Sequence, residues 1–356
     1  MKLCIITCYN QPDYIRARTL RAAAAEIEGV EALVVKNSRT GLLRYPEVFW
    51  RLLKTRLKDR PDAYLLTFRG YEMLLPVRLL SIGKPLIYDE FINPIEWVSY
   101  EHKKIGKYNP LTGLLWLYYR LLLACTSLIL TDTESHADLS AGMMKVRRDK
   151  FLTLPVGTDE STFTSEGLVQ VENDAFTVLY YGNMLPLHGL SHVIDAAVKL
   201  NHEPVKFVLV GGNAKVAHDV AFAVGNGANI EYKAWVDYDQ LPKLMNEADL
   251  CLAGPFGDTF QAQYVITGKA YQYLAMGRPT VVGVNKESEV FIDKKNALVV
   301  PQGSADELTS AIRWAMANKK QLHTIGANGQ KLYRQKLSVE QITKRLEPAL
   351  RTLARV

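Results

Sequence analysis

Short runs rich in Val, Ile and Leu alternate with helical segments along almost all of the 356 residues. Continuous apolar runs of this kind are typical of strands in a parallel sheet that helices cover on both faces. The array occurs twice, so the sequence predicts two tandem Rossmann-like α/β domains. The expected strands are 2–7, 32–36, 63–68, 85–89, 127–131 and 151–154 in the first half, and 177–181, 206–210, 229–232, 250–252, 280–284 and 298–300 in the second.

The chain length agrees with two domains, since a globular domain usually has about 100–200 residues. We expect an N-terminal domain over 1–162, a second domain over 163–337 and a C-terminal helix over 338–356 that returns to the first domain. The polar stretch 159–173 lacks apolar periodicity and indicates the boundary. The two domains are expected to face a central cleft, with ligands beyond the carboxyl ends of the strands.

The net charge of +6, from 43 Lys and Arg against 37 Asp and Glu, arises in one segment. Residues 36–60 hold eight basic and two acidic residues, and the rest of the chain is balanced. No nucleic-acid partner is expected, because such proteins usually carry a broader basic surface and a recognisable module. The segment predicts a basic amphipathic helix that is either an ordinary surface helix or a contact with an anionic membrane. The membrane-contact residues would be Arg44, Phe49, Trp50, Arg51, Lys54 and Lys58.

The four cysteines lie in apolar segments without a Cys-x-x-Cys pair, which favours reduced core residues over a disulfide or zinc framework. The apolar stretch 114–130 is broken by Arg120 and by Thr126-Ser127, so a helix followed by a strand is favoured over a transmembrane helix. We expect a cytoplasmic protein that can also be peripheral on the inner face of the plasma membrane.

Glycines follow several strands of the second half. Gly182 and the pair Gly211-Gly212 each stand at the end of an expected strand, where a missing Cβ lets the backbone approach a ligand. An ordinary turn with a structural glycine is the alternative. The dinucleotide motif G-x-G-x-x-G is absent at these positions and after the first strand, which counts against a nicotinamide enzyme.

A third loop, ending in Gly257, Asp258 and Thr259, precedes a helix that is expected to begin near Lys269. A cation in the first turn is unfavourable against the helix dipole, unless it shares an anionic ligand with the free N–H groups there. Gln272 lies one turn further along the same face, within reach of a hydroxylated ligand. A solvated lysine and a surface glutamine are the alternative.

The run TGKAYQYLAMGRP, residues 267–279, resembles the nucleotide-sugar motif of the family 4 glycosyltransferases, which have the two-Rossmann GT-B fold. The resemblance continues in the right order at 84–89, 131–134, 154–163, 182–189 and 211–212, and covers roughly residues 1–336. Some positions differ from the family pattern. Gln272 replaces a glutamate, Asp258 is the nearest acid to a second one, His188 and Asn183 replace basic residues, and the usual first-domain histidine is missing near 89–91.

The resemblance implies a hexosyltransferase that moves a sugar from a nucleotide-diphosphate donor to a carbohydrate or lipid-linked acceptor, with retention of anomeric configuration. It implies a role in cell-surface glycan or glycolipid synthesis, without a cofactor or a bound metal. The sequence itself has no Asp-x-Asp motif and no His/Cys ligand cluster. The alternatives are a nucleotide-sugar epimerase on the same fold and a non-catalytic GT-B scaffold.

Breaking the donor bond leaves negative charge on the diphosphate, so cations and N–H dipoles are expected around that group. Asp13 is also a candidate N-cap of the helix over 14–28, and Trp235 a candidate core residue. The predicted catalytic residues are Lys269, His188, Asp89 and Glu90. The residues predicted to bind the donor are Gly182, Asn183, His188, Gly211, Gly212, Lys233, Ala234, Trp235, Gly257, Asp258, Thr259, Lys269 and Gln272. The residues predicted to bind the acceptor are Asp13, Arg16, Asp89 and Glu90.

Overall fold

The computed structural model describes residues 1–101, 104, 106, 109–168 and 174–354. The chain forms two compact α/β units, Met1–Gly157 with Ser338–Val356, and Thr158–Leu337. The prediction of two Rossmann-like units is therefore confirmed, and the C-terminal helix belongs to the first unit as expected. Part of the predicted boundary stretch, 169–173, lies outside the described residues.

Unit 1 is a six-stranded parallel sheet with helices on both faces. Its strands are β1 (Lys2–Thr7), β2 (Glu31–Lys36), β3 (Ala63–Thr67), β4 (Leu86–Asp89), β5 (Leu128–Thr131) and β6 (Phe151–Thr153). Its helices are α1 (Ile15–Ala25), α2 (Arg44–Lys58), α3 (Leu74–Leu80), α4 (Pro94–Glu96), α5 (Pro110–Ala124), α6 (Glu134–Met144) and α13 (Val339–Leu353). The strand order β2-β1-β3-β4-β5-β6 reverses direction at β1, so the carboxyl ends of β1 and β3 form the topological switch point.

Alternate residues of the strands in unit 1 enter two different cores, because successive side chains of a strand point to opposite faces. Cys4 and Ile6 of β1 pack with α2, α3, α5 and α6 on one face of the sheet. Leu3 and Ile5 pack with α1 and α13 on the other face. Ile342 and Leu346 of α13 are fully buried there, which fixes the end of the chain on unit 1.

Unit 2 repeats this arrangement with a second six-stranded parallel sheet. Its strands are β7 (Phe176–Tyr181), β8 (Val205–Val210), β9 (Ile230–Lys233), β10 (Leu250–Leu252), β11 (Thr280–Gly283) and β12 (Leu298–Val300), in the order β12-β11-β10-β7-β8-β9. Its helices are α7 (Leu190–Lys199), α8 (Ala214–Gly225), α9 (Leu241–Glu247), α10 (Gly268–Ala275), α11 (Ala305–Ala317) and α12 (Lys319–Leu332). The reversal at β7 places the switch point between β7 and β10.

Two elements differ from the sequence prediction. The helix expected over 14–28 is the shorter α1, and its N-cap is Tyr14, not Asp13. A short helix, α4, and a π-helical turn over Trp97–Glu101 follow β4, where no helix was predicted; the Asn93 side chain caps α4 by accepting from two backbone N–H groups. Within the described ranges, no helix is long and apolar enough to cross a membrane.

Candidate functional site

The glycine-containing loops of unit 2 need glycine chiefly because they touch one another. A Cβ on Gly211 would lie 2.3 Å from the Gly182 carbonyl oxygen, and one on Gly257 would lie 2.3 Å from the Pro186 carbonyl oxygen. Gly182, Gly211 and Gly212 also have positive φ angles of +141°, +100° and +96°, which L side chains rarely adopt. Close packing of loops therefore accounts for Gly211 and Gly257, and the positive φ angle accounts for Gly182 and Gly212. The close approach to a ligand that the sequence suggested stays a prediction.

Lys269 and His188 come together beside Gly182. A Cβ built on Gly182 would lie 3.5 Å from Lys269 Nζ and 3.8 Å from His188 Cε1. The Lys269 ammonium lies 5.1 Å from the centre of the Tyr180 ring. Lys269 is only 5% exposed, and burial lowers its pKa from 10.5 to about 7. Among the residues that the structure describes, no carboxylate forms an ion pair with it.

The His188 ring is the second polar group beside Gly182 without a protein partner. Its Nδ1 is buried and makes no hydrogen bond to the described part of the chain. Burial, followed by the Lys269 charge, holds the pKa of His188 well below 6.5, so the ring is neutral near pH 7. A neutral ring with its proton on Nδ1 can donate to an oxygen. A buried ammonium and a buried ring nitrogen without partners both cost free energy, which an anion beside Gly182 would offset.

Gln272, one turn after Lys269 on α10, is buried and accepts a hydrogen bond from the Tyr181 hydroxyl. Its side-chain amide nitrogen remains a potential donor to a ligand hydroxyl. Asn183 and Asp258 are exposed, and Thr259 is half-buried and accepts from the backbone N–H of Ala262. This bond ties the third loop to the turn that follows it.

The residues predicted for the base lie after β9. Trp235 is 75% exposed, so it is not a core residue, and its indole N–H donates to Asp237 at 3.2 Å. The neighbouring Ala234 is exposed, and Lys233 forms an ion pair with Glu231 at 3.0 Å. An exposed indole held by a hydrogen bond offers a surface for stacking with a planar ring.

In unit 1, Arg16 and Asp89 form a fully buried ion pair. Asp89 Oδ1 accepts from Arg16 Nη2 at 2.9 Å and from Nε at 3.0 Å, and Asp89 Oδ2 accepts from the Phe68 backbone N–H at 3.2 Å. Arg16 also donates to the carbonyls of Leu154 and Pro155. The expectation that these two side chains contact an acceptor is thus corrected: they have no exposed surface and are already saturated by the protein.

Glu90 is also fully buried, within a polar cluster at the carboxyl ends of β4 and β5. It accepts hydrogen bonds from the Tyr119 hydroxyl at 2.7 Å and from the Asn93 amide at 3.3 Å. His136 of α6 lies 3.9 Å from it and contacts Asp132 at 2.8 Å. Burial opposes the charged ring, but the Asp132 and Glu90 carboxylates raise the pKa of His136 above 6.5. Unit 1 therefore has a histidine at this edge of the sheet, but it belongs to α6 and not to residues 89–91.

Aromatic rings gather at the switch point of unit 1, a feature that the sequence analysis missed. The Tyr14 and Phe68 rings stack with their centres 4.1 Å apart, and the rings of Tyr9 and Phe91 lie edge-on or tilted at 4.9 and 5.1 Å from Phe68. Each follows or precedes a different element, so only the fold assembles the cluster. We call Tyr9, Tyr14, Phe68 and Phe91 the aromatic cluster.

The remaining acceptor candidate, Asp13, lies at the surface and forms ion pairs with Arg21 and Lys36. Asp13 therefore belongs to a network of surface ion pairs and is neither a helix cap nor a free carboxylate. Its pKa stays below 3.8 because the two cations outweigh the effect of burial.

The predicted membrane residues of α2 divide into two groups. Phe49 packs against the core of unit 1, Arg44 contacts Asn10 and the Gly41 carbonyl, and Arg51 pairs with Glu47 at 2.7 Å. Phe49 is half-buried against this core, so only part of its ring could reach a membrane. The side chains of Trp50, Lys54 and Lys58 are exposed.

No group of three or more His, Cys, Asp or Glu side chains within the described ranges has an arrangement that could hold a metal ion. The side chains that lie beside Gly182 are the Lys269 amine and the His188 imidazole.

Comparison with known proteins finds similarity in the second unit. Residues 169–332 match the family of glycosyl transferases group 1. The chain is 31% identical over 114 residues to a putative colanic acid biosynthesis glycosyl transferase, WcaI, of Escherichia coli; this match covers 32% of the chain and 28% of the relative's length.

Similarity to solved structures covers nearly the whole chain. It extends over 99% of the chain and 100% of HepE from Anabaena, solved with UDP-glucose, at a TM-score of 0.74 and 14% identity. The sucrose-phosphate synthase from Thermosynechococcus elongatus gives a TM-score of 0.77 at 14% identity over 99% of both chains. At such identities the likeness establishes the fold. The chain therefore has the GT-B fold of two Rossmann-like units, and residues 169–332, most of its second unit, match the glycosyl transferases group 1.

Proposed function

We propose that the protein is a glycosyltransferase that transfers a hexose from a nucleotide-diphosphate sugar to a glycan or lipid-linked acceptor. The transfer retains the anomeric configuration, requires no cofactor or resident metal, and serves the synthesis of a surface glycan or glycolipid. The single observation that carries this proposal is the buried Lys269 beside His188 and Gly182, since neither polar group has an anionic partner among the residues that the structure describes.

The proposal follows from the charge that develops in the reaction. Cleavage of the bond between sugar and diphosphate leaves negative charge on the departing phosphate oxygens. The Lys269 ammonium and the His188 Nδ1–H would stabilise this charge in a site from which water is largely excluded, where electrostatic interactions are strong. Gln272, which is held by Tyr181, would donate its amide N–H to a ribose hydroxyl, and Trp235 would stack on the base.

The acceptor is assigned to unit 1, where the aromatic cluster offers ring faces at the carboxyl edge of the sheet. Aromatic faces bind the apolar C–H surfaces of sugars and isoprenoid chains. Tyr14 and Phe91 are half-buried and thus retain exposed surface. Substituting Tyr14→Leu should raise the acceptor KM and leave donor affinity unchanged, whereas an equal loss of donor affinity would place this residue elsewhere in the mechanism.

The experiment that tests the donor assignment is calorimetric titration of the full chain with UDP-glucose, GDP-mannose and ADP-glucose. At least one donor should bind, and Lys269→Met should weaken its binding by about 10–100-fold, which is the effect of removing one charge-assisted hydrogen bond. Lys243→Met, which removes an exposed lysine of the same unit, is the matched control. Failure of every donor to bind would favour the non-catalytic scaffold.

Product analysis then separates the remaining alternatives. With a labelled donor and a glycan acceptor, a retaining transferase yields a glycoside with the donor's anomeric configuration, which NMR coupling constants report. A nucleotide-sugar epimerase would convert the labelled donor without any acceptor. Conversion without acceptor would therefore overturn the transferase proposal.

A further inference from the structure

The turn after β3 places one arginine beside the aromatic cluster. The guanidinium carbon of Arg69 lies 5.4 Å from the centre of the Trp97 ring. It lies 5.7 and 5.8 Å from the ring centres of Tyr9 and Tyr71. Because Tyr9 also belongs to the aromatic cluster, this cation borders the rings to which the acceptor is assigned. The segments that follow β1, β3 and β4 meet here, at the carboxyl edge where such sheets bind ligands.

The charge of Arg69 is not matched by a carboxylate in the part of the chain that the structure describes. Its Nη2 donates to the Tyr71 hydroxyl at 2.9 Å, and the Tyr9 hydroxyl is a second partner. A phenol hydroxyl accepts from a guanidinium without neutralising it, and three of the five N–H donors remain for a ligand. Asp89, which accepts from the backbone N–H of the preceding residue, is already paired with Arg16.

Trp97 has a second cation beside its ring. Lys104 Nζ lies 4.8 Å from the ring centre, and this lysine is exposed. Within the described ranges, Lys104 forms no ion pair with a carboxylate either. Two cations beside one ring repel each other, and an anion between them would remove this repulsion. The surroundings of Trp97 therefore favour a negatively charged ligand.

The backbone of this turn holds Arg69 in an unusual conformation. Phe68 and Arg69 have φ angles of +22° and +50°, which cost about 1–3 kcal/mol each in residues other than glycine. The Phe68 N–H donates to Asp89 at 3.2 Å, on one side of the turn. On the other side Gly70 packs so closely that a Cβ would lie 2.5 Å from Leu66 Cγ. The fold thus fixes the position from which the guanidinium meets a ligand.

A guanidinium bordered by aromatic rings is suited to an oxyanion attached to a sugar or an apolar chain. Phosphate and carboxylate oxygens both match its planar fork of N–H donors. The neighbouring ring faces bind the C–H surfaces of the rest of such a molecule. The donor diphosphate is assigned to Lys269 of unit 2, so an oxyanion at Arg69 is assigned to the acceptor.

We propose that Arg69 binds a phosphate or carboxylate group of the acceptor and thereby makes the protein selective for an anionic acceptor. The proposal rests on the assignment of the acceptor to the aromatic cluster under the proposed function, and it names the charge which that acceptor carries. The two sources of the oxyanion are the diphosphate of a lipid-linked acceptor and the carboxylate of an acidic sugar.

Ligand-observed NMR titrations of the full chain with two pairs of probes test the proposal. One pair is geranyl diphosphate and geraniol, and the other is methyl β-glucuronide and methyl β-glucoside. All titrations use the Lys269→Met variant, so that the cation of unit 2 does not hold the anion. At least one anionic probe should bind about 10–100-fold more tightly than its neutral partner, and that pair identifies the source. Equal affinities within both pairs would overturn the proposal.

Substitution of the arginine shows whether it causes this preference. Arg69→Met in the same background should abolish the preference and leave the neutral probe's affinity unchanged, because the apolar stem still covers the rings. Arg69→Lys keeps the charge but loses the fork, so it should retain part of the preference. Equal losses for the charged and the neutral probe would mean that Arg69 only supports the fold of the turn, and would overturn the proposal.

Arg60→Met is the matched control. Arg60 is exposed, precedes β3 at the opposite end of the strand, and has a similar φ of +51°. It should change none of the affinities, and a loss of preference equal to that of Arg69→Met would contradict the proposed location.

Titration of the otherwise unchanged chain with UDP-glucose keeps this proposal separate from the proposed function. Arg69→Met should not alter UDP-glucose affinity; a loss as large as that for the anionic probe would place Arg69 at the donor and overturn the inference. If UDP-glucose, GDP-mannose and ADP-glucose all fail to bind the wild-type chain, the donor assignment fails, whereas the preference between paired probes still decides the role of Arg69.

Discussion

Each unit buries a basic side chain at the carboxyl edge of its sheet, but with opposite electrostatic environments. In unit 1, Arg16 is fully buried and matched by the Asp89 carboxylate at 2.9 Å. In unit 2, Lys269 is 5% exposed, and within the described ranges no carboxylate is paired with it. A paired charge is complete without a ligand, whereas an unpaired one raises the free energy of the protein until an anion arrives. The difference supports a structural role for Arg16 and the anion-binding role that we propose for Lys269.

The strongest test of this contrast is removal of the Arg16 charge. Arg16→Met should destabilise unit 1 by about 3–5 kcal/mol, because Asp89 is left buried without its partner. Urea unfolding followed by circular dichroism measures the loss, with the exposed Arg39→Met as control. Arg16→Met with Asp89→Asn should recover part of it. A loss below about 1 kcal/mol, as for a surface pair, would contradict the structural role.

Removal of the Lys269 charge should instead increase the stability of the ligand-free protein. The folded chain releases this proton near pH 7, whereas a solvated lysine keeps it to about pH 10.5. The folded state is thus penalised fully below pH 7, and the penalty disappears as the pH approaches 10.5. Lys269→Met should therefore raise the stability of the ligand-free protein at pH 6, by about 5 kcal/mol.

The pH dependence provides the check on this sign. The difference in melting temperature between Lys269→Met and the wild-type chain should be largest at or below pH 7 and decrease steadily towards pH 10. Titrating groups that do not interact with Lys269 affect both proteins equally and cancel in the difference. A variant that melts lower than wild type at pH 6 would mean that Lys269 is paired in the folded protein.

These contrasts separate what local sequence signals can predict from what they cannot. Apolar runs report strands directly, so the two sheets were predictable, and Lys269 was found because a cation in a first helical turn is locally unfavourable. Arg16 and Asp89 are 73 residues apart, and only the fold reveals that they neutralise each other. His136 and the aromatic cluster were missed for the same reason.

Donor binding should be coupled to protonation in unit 2. A diphosphate beside Lys269 favours the charged amine and raises its pKa, so binding above pH 7 takes up a proton. UDP-glucose affinity should fall by up to about tenfold per pH unit above pH 7, and change little between pH 6 and 7. Calorimetry in two buffers of different ionisation enthalpy measures the uptake at pH 8, and Lys269→Met should abolish it. Uptake that persists in this variant would identify another titrating group.

The smallest effects are expected from replacing one glycine in each unit by alanine. Gly211 in unit 2 has a φ of +100° and no room for a Cβ, because the Gly182 carbonyl oxygen would be 2.3 Å away. Gly142 in unit 1 lies on the exposed side of α6 with no atom within 4 Å of a built Cβ. Gly211→Ala should therefore cost about 1–3 kcal/mol and weaken donor binding, whereas Gly142→Ala should stabilise by about 0.5–1 kcal/mol. Thermal melts and UDP-glucose titrations measure both. If Gly211→Ala had no more effect on stability than Gly142→Ala, the contact between the loops of Gly182 and Gly211 would not explain why glycine is needed there. Close approach to a ligand would then be the better explanation.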